Sequence, residues 1–248
     1  MMSAEIFEQY EAELAGHREA FAADEAVGLL TSPSCDERLF ARWLLRYSVH
    51  GVAMTAPVES WIAGAGERCA QLGNQALGKA LRAHSRAEAG HDRMMVTDAR
   101  AIAARLNEHS ATAVDVEALL TEPPLASTRP YIQLHEQVIT GPAPQAQLAI
   151  EYEIEQLSVT MGPHLLHNCE RVFGSDSRFY SFLAEHVELD AGHTAFNRRQ
   201  LQGVLAESPQ ALTTMTEAGS TALACYSVFM AECLRLAQTD LDTAPVPA

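Results

Sequence analysis

The stretch Leu183-Ala-Glu-His186-Val-Glu-Leu-Asp190-Ala-Gly-His193 decides how the rest of the chain is read. It lies in a run that reads as helical from about Ser177 to Leu205. On a helix, His186, Asp190 and His193 stand at i, i+4 and i+7 and stack along one face. Two imidazoles and a carboxylate then point the same way, which is an arrangement of metal ligands. Composition alone would produce such a spacing on the order of 0.05 times in this chain, so incidental histidines on a charged face are the poorer explanation.

The same helical character runs outward in both directions. Ala, Leu, Glu, Arg and Gln dominate, and β-branched alternation is nearly absent, so the fold class is all-α. The expected helices cover about Ala4–Leu30, Glu37–Leu72, Gln75–Glu108, Tyr131–Thr140, Gln145–Phe173, Ser177–Leu205 and Pro209–Asp240. Ser34 or Asp36 would cap the second. Pro57 lies inside it and predicts a break near Thr55. Gly162-Pro163 predicts a bend in the fifth, and Ser208-Pro209 an N-cap with a proline at the first position of the last. Residues 121–130 are irregular but too short to separate domains, so residues 1–248 read as one domain of about seven helices with a fraying tail from about residue 241.

Further carboxylates and a histidine complete a possible site. Glu88-Ala-Gly-His91 is an E-x-x-H, a spacing that chance supplies about once in such a chain and that therefore needs company. Dimetal sites in helical bundles combine it with carboxylates from neighbouring helices. In Ala149-Ile-Glu151-Tyr-Glu153-Ile-Glu155, Glu151 and Glu155 share a face beside the apolar stripe of Ile150, Ile154 and Leu157, while Glu153 points roughly the other way. A carboxylate on a core face is costly unless paired or metal-bound. Glu59 lies in the otherwise apolar stretch from Gly51 to Ala65. Glu59, Glu88, His91, Glu155, His186, Asp190 and His193 would thus converge from four helices. Oxygen and nitrogen ligands without a thiolate suit two Fe(II) or Mn(II) ions better than zinc or copper.

Composition excludes several other functions. Of 248 residues, 17 are Lys or Arg and 32 are Asp or Glu, a formal charge of −15. This is a poor match for nucleic acid or an anionic membrane, both of which call for surplus cations. Lys79 is the one lysine, leaving a single candidate for Schiff-base chemistry. Mean hydropathy is −0.06, and no apolar run approaches the ~18 residues of a membrane span. The first residues lack the basic and apolar regions of a signal peptide, so a cytoplasmic location is expected. Five cysteines with irregular spacing and no C-x-x-C argue for reduced thiols rather than a disulfide framework. His17, His50, His109, His135 and His164 have no ligand-spaced partner. The last helix carries an apolar stripe that includes Leu212, Met215, Leu223, Phe229 and Leu234; it reads as core, with a homodimer as its other use.

In order and rough spacing, over about residues 40 to 200, these motifs resemble the haem-oxygenase-like diiron oxidases. That family's pattern is a glutamate, an E-x-x-H, a Tyr-x-x-Glu and an H-x-x-x-D-x-x-H. Here they read Pro57-Val-Glu59, Glu88-Ala-Gly-His91, Tyr152-Glu-Ile-Glu155 and His186 to His193. The motif context is most similar to that of the members that convert fatty acids to 1-alkenes. The resemblance implies a seven-helix haem-oxygenase-like fold without haem, two ferrous ions that react with O2, and Glu155 rather than Glu151 as ligand. It implies oxidation of a small organic substrate, with an external electron donor where the reaction needs one. N-oxygenation of an amine or amino-heterocycle is the expected reaction, because His50, Thr55 and Tyr152 lie near the ligand positions and there is one lysine to hold a fatty carboxylate. Oxidative C–C cleavage, decarboxylation or desaturation of a fatty or amino acid is the alternative, with Arg46 or Arg93 as carboxylate partners. His84, seven residues before His91, is a candidate to support the ligands from behind. A non-catalytic metal-binding protein and a haem enzyme using His17 are readings of other classes.

Overall fold

Caps and breaks cut the seven expected helical runs into twelve α-helices among the described residues, which are 2–108 and 113–243 of this computed structural model. His109 and the end of the expected tail, at 244–248, lie outside them. The first run is divided into α1 (Met2–Ala22) and α2 (Glu25–Thr31). The Asp24 carboxylate accepts from the Ala26 and Val27 N–H groups and so starts a new helix. Asp36, not Ser34, caps α3 (Glu37–Thr55) through the Leu39 N–H. Pro57 then ends the run as expected, and α4 (Val58–Gln71) packs on different neighbours. Asn74 caps α5 (Gln75–His84) by accepting from Leu77.

The third run departs most from expectation. Instead of one helix to Glu108, α5 ends at His84 and a 3-10 turn covers Ser85–Ala87. Gly90, at φ +91°, then precedes α6 (His91–Asn107). Glycine takes this left-handed backbone without the Cβ penalty of other residues. Glu88 therefore sits in a turn, not on a helix face with His91. The chain continues through α7 (Val116–Leu120) and α8 (Thr128–Thr140). Gly162-Pro163 separates α9 (Gln147–Thr160) from α10 (Gly162–Phe173) as expected. After α11 (Ser181–Glu207), a 3-10 turn over Pro209–Ala211 precedes α12 (Leu212–Thr243), and the Ser208 side chain makes no capping bond.

Packing places the core between these helices. α9 packs on α11, α3 on α6, and α12 across both α3 and α9, while α1 covers α11 and α12. Trp43, Phe40, Ile62, Tyr152 and Phe229 are fully buried there. The apolar stripe of α12, Leu212, Met215, Leu223, Phe229 and Leu234, is buried within the chain. Among the described residues no helix is long and apolar enough to cross a membrane.

Candidate metal centre

Helix α11 runs unbroken through the decisive stretch, so His186, Asp190 and His193 do share a face. The interrupted segment between α5 and α6 faces them. It delivers His84 from the last turn of α5, Glu88 from the turn and His91 from the start of α6. Helix α9 adds Glu155. Donor atoms lie within 4.8 Å of one another in two groups: His84, Glu88, Glu155 and His193, and Glu88, His91 and His186. Glu88 belongs to both. Its Oε2 is 3.0 Å from His91 Nδ1 and its Oε1 is 3.1 Å from His193 Nδ1. Asp190, 2% exposed, places Oδ1 3.5 Å from His193 Nδ1.

Other groups orient these side chains. His186 Nδ1 donates to the Phe182 carbonyl at 2.7 Å, which leaves its Nε2 lone pair free to ligate. Asn197 Nδ2 donates to Glu155 Oε2 at 2.7 Å, so Oε1 turns toward the histidines. Phe182 lies against the His186 ring at 3.9 Å between centroids.

The donor chemistry and the unpaired atoms both fit a metal. His84 Nε2, Glu88 Oε1, His91 Nδ1, Glu155 Oε1 and Asp190 Oδ2 are buried without a hydrogen-bond partner. Leaving so many polar atoms unsatisfied in one place is costly unless an ion takes their lone pairs. Carboxylates and imidazoles with no thiolate suit iron or manganese. The electrostatics agree. Burial alone would raise Glu88, but the His193 and His91 rings, 3.1 and 3.0 Å away, outweigh it and hold its carboxyl well below the usual range. The neighbouring carboxylates of Asp190 and Glu88 push His193 up to about 10. Burial raises Glu155 well above an ordinary carboxyl, although Asn197 and His193 act against it.

Several residues expected at the site lie elsewhere. Glu59 is exposed in the first turn of α4 and belongs to neither group. The break at Pro57 ends the helical phase that seemed to aim it inward, and α4 instead buries Trp61, Ile62 and Ala65 against α5 and α8. His50 is buried near Arg46, with Nε2 3.9 Å from Glu122 Oε2, and it does not line the cavity beside the centre. The Tyr152 hydroxyl donates to Glu11 at 2.9 Å, away from the centre and toward α1. Thr55 does line the cavity, and His84 stands within one of the two groups that could hold a metal ion. His17 is exposed on α1.

Glu151 is the residue that the reading of the sequence set aside. It lines the same cavity, and burial, together with the charges of Glu155 and Glu88, pushes it up to about 8. Gln147 Nε2 donates to its Oε1 at 2.5 Å and lies 2.7 Å from His135 Nδ1, and His135 stacks on Trp61 at 4.0 Å. Its position one helical turn before Glu155, on the same face, was the available signal.

The cavity holds about 100 Å³. Glu88, His91, Glu155, His186 and Asp190 line it together with apolar side chains that include Met54, Met95, Phe182 and Phe229. Tyr47 and Tyr226 also border it, their hydroxyls 2.7 Å apart.

An all-α bundle that gathers imidazoles and carboxylates beside a largely apolar cavity defines a class, helical proteins with a buried histidine–carboxylate cluster able to hold a metal. Residues 42–227 match the model of a family described as iron-containing redox enzyme, and the chain belongs to that family. It is similar in structure to a domain of unknown function with a heme oxygenase-like fold from Shewanella denitrificans OS217. That likeness has a TM-score of 0.72 and 14% identity, and it covers 100% of this chain and 97% of the other. The fold is therefore heme oxygenase-like and all-α. No curated protein matches the chain. Family membership makes an iron-containing oxidoreductase the class of activity.

Proposed function

We propose that the chain is a non-haem diiron oxidase or oxygenase that uses O2 to oxidise a small organic molecule. The observation that carries this reading is Glu88, shared by two groups of ligand atoms whose buried members lack hydrogen-bond partners. One carboxylate placed to serve two ions is the arrangement of a dinuclear site. When bound, two ferrous ions supply the electrons that reduce dioxygen.

The rest of the chemistry belongs to the chain. Glu88, His91 and His186 would hold one ion; Glu88, Glu155 and His193 would hold the other, with Asp190 beside both. His186 and Glu155 are fixed by Phe182 and Asn197, so the ligands need little reorganisation. The apolar side chains of the wall limit the water around a reacting centre. Glu151 lines the same cavity, and burial raises its carboxyl to about 8 in the metal-free chain, so it is placed to hold a proton beside the substrate.

The cavity wall favours an aliphatic group as the part of the substrate that is oxidised. Met54, Met95, Phe182 and Phe229 offer dispersion contacts and no charge. Of the polar residues that favoured N-oxygenation, Thr55 reaches the cavity and His50 and Tyr152 do not. C–H or C–C oxidation is thus the first reading and N-oxygenation of an amine the second, with the Thr55, Tyr47 and Tyr226 hydroxyls as its polar contacts.

Anaerobic Fe(II) titration followed by stopped-flow mixing with O2 tests the proposal. Two irons per chain and a transient visible absorption on mixing are expected. Protein that binds iron but gives no optical change with O2 would sink the oxidase reading and leave a metal-binding protein. O2 consumption with matched alkyl carboxylates and alkyl amines then separates the two substrate classes.

A further inference from the structure

We infer that His84 is itself a metal ligand, taking in this chain the place that the resemblance gives to Glu59; this rests on the metal-centre reading above. Three observations carry it. First, His84 is 6% exposed and its Nε2 has no hydrogen-bond partner, yet lies 3.3 Å from Glu155 Oε1. His135 and His50 also leave Nε2 unpaired, but of the three only His84 stands among converging carboxylate and imidazole donor atoms. Second, the ring is held in place from the side. Phe196 stacks on it at 4.9 Å, and His193 meets it edge-on at 5.0 Å. Third, the helix that precedes Glu59 supplies no ligand. Where α3 borders the cavity it presents Tyr47, whose hydroxyl pairs with Tyr226, and Gly51, Met54 and Thr55, and Glu59 itself is exposed beyond the Pro57 break.

The backbone explains why this position suits a ligand. Helix α5 is locked to α4 by a close approach of two glycines; a Cβ on Gly78 would come within 2.5 Å of the Gly66 carbonyl oxygen. His84 is the last residue of that anchored helix. The 3-10 turn after it allows Glu88 and His91 to fold back on the same space. Three ligands then come from eight consecutive residues. The ion near Glu155 gains two imidazoles and two carboxylates, a neutral donor replacing an anionic one.

The test uses the full chain. Anaerobic Co(II) and Fe(II) titrations are compared for wild type, His84→Ala, His84→Gln and Glu59→Gln. Wild type and Glu59→Gln should each bind two ions. Both His84 variants should lose one equivalent or bind it at least tenfold more weakly. Two ions bound with wild-type affinity and unchanged Co(II) visible spectra in folded His84 variants would overturn the inference. A measurement on unmutated protein guards against variants that fail to fold. The Co(II)-loaded chain, labelled with 15N-histidine, should show four strongly shifted imidazole N–H resonances, from His84, His91, His186 and His193. A shifted set that, once assigned, lacks His84 would exclude it. Wild-type protein that binds no metal would instead overturn the underlying metal-centre reading, and the His84 assignment with it.

Discussion

At Glu88 and His193 the site's electrostatics become measurable. The neighbouring carboxylates of Asp190 and Glu88 raise His193 from the ordinary imidazole value of 6.5 to about 10, so the metal-free protein carries a proton there at neutral pH. A raised imidazole stabilises the fold fully below its unfolded value, and that contribution is lost as pH rises from about 6.5 toward 10. A metal ion requires the neutral ring and must displace this proton. Metal uptake should therefore release protons, and affinity should climb with pH across that window. Calorimetric titration in buffers of different ionisation enthalpy measures both, and a pH-independent affinity would contradict the arrangement. Asn197 provides a second handle, because its Nδ2 donates to Glu155 Oε2 at 2.7 Å and both residues are buried. Asn197→Leu should weaken metal binding by roughly 10- to 100-fold. It should also cost about 1–3 kcal/mol of stability, since a buried acceptor loses its donor. Metal titration and urea unfolding read the two effects separately.

Elements bring the ligands to register, and one buried carboxylate ties two of the relevant elements together. Asp98 of α6 accepts from the Ser181 hydroxyl at 2.6 Å and from the Phe182 N–H at 3.0 Å, so it caps the N-terminus of α11 from a neighbouring helix. It thereby links the helix that begins with His91 to the helix that carries His186. Asp98→Ala should destabilise the chain by about 1–3 kcal/mol. It should also loosen the ion near His91 and His186 more than the one near His84. Urea unfolding and stepwise Co(II) titration check this, and equal weakening of both ions would argue against a local role. The same scale explains what was legible in the sequence. His186, Asp190 and His193 were readable because α11 continues unbroken, so residue spacing converts directly into a face. Glu59 was misplaced because that conversion fails across Pro57. Glu88 and His91 were found as a pair, but their geometry was not, since the Gly90 turn replaces the helix that the pattern implied. His84 and Glu151 needed tertiary contacts to be weighed properly: nothing in their own segments says which turn of α5 or α9 meets α11. The Gly162-Pro163 break, by contrast, followed from the chemistry of two residues.

For the molecule as a whole, the formal charge of −15 is compatible with burying several acidic groups because each one has a stated partner. Glu153 shows this away from the metal centre. Its side chain is 0% exposed; Arg18 bonds it through Nε at 2.7 Å and Nη2 at 2.8 Å, and the Tyr10 hydroxyl donates to it at 2.8 Å. Tyr10 and Arg18 both belong to α1, so this network fastens the first helix to α9 on the side away from Glu155. Burial and the two acidic partners act on Arg18 in opposite senses, and the partners prevail, raising its pKa. Arg18→Met removes the cation and leaves a buried carboxylate uncompensated, a change that costs about 3–5 kcal/mol in comparable sites. For a chain of this size the melting temperature should fall on the order of 10 °C. The double variant Arg18→Met with Glu153→Met should recover much of that loss, because the charge left stranded by the single change is gone. Metal stoichiometry should stay at the wild-type value in both variants, since neither residue belongs to a ligand group. Thermal unfolding followed by circular dichroism, paired with metal analysis, tests the expectation. A double variant no more stable than Arg18→Met would mean that α1 is held by its apolar face, through Phe7, Tyr10 and Leu14, and not by the buried charge pair.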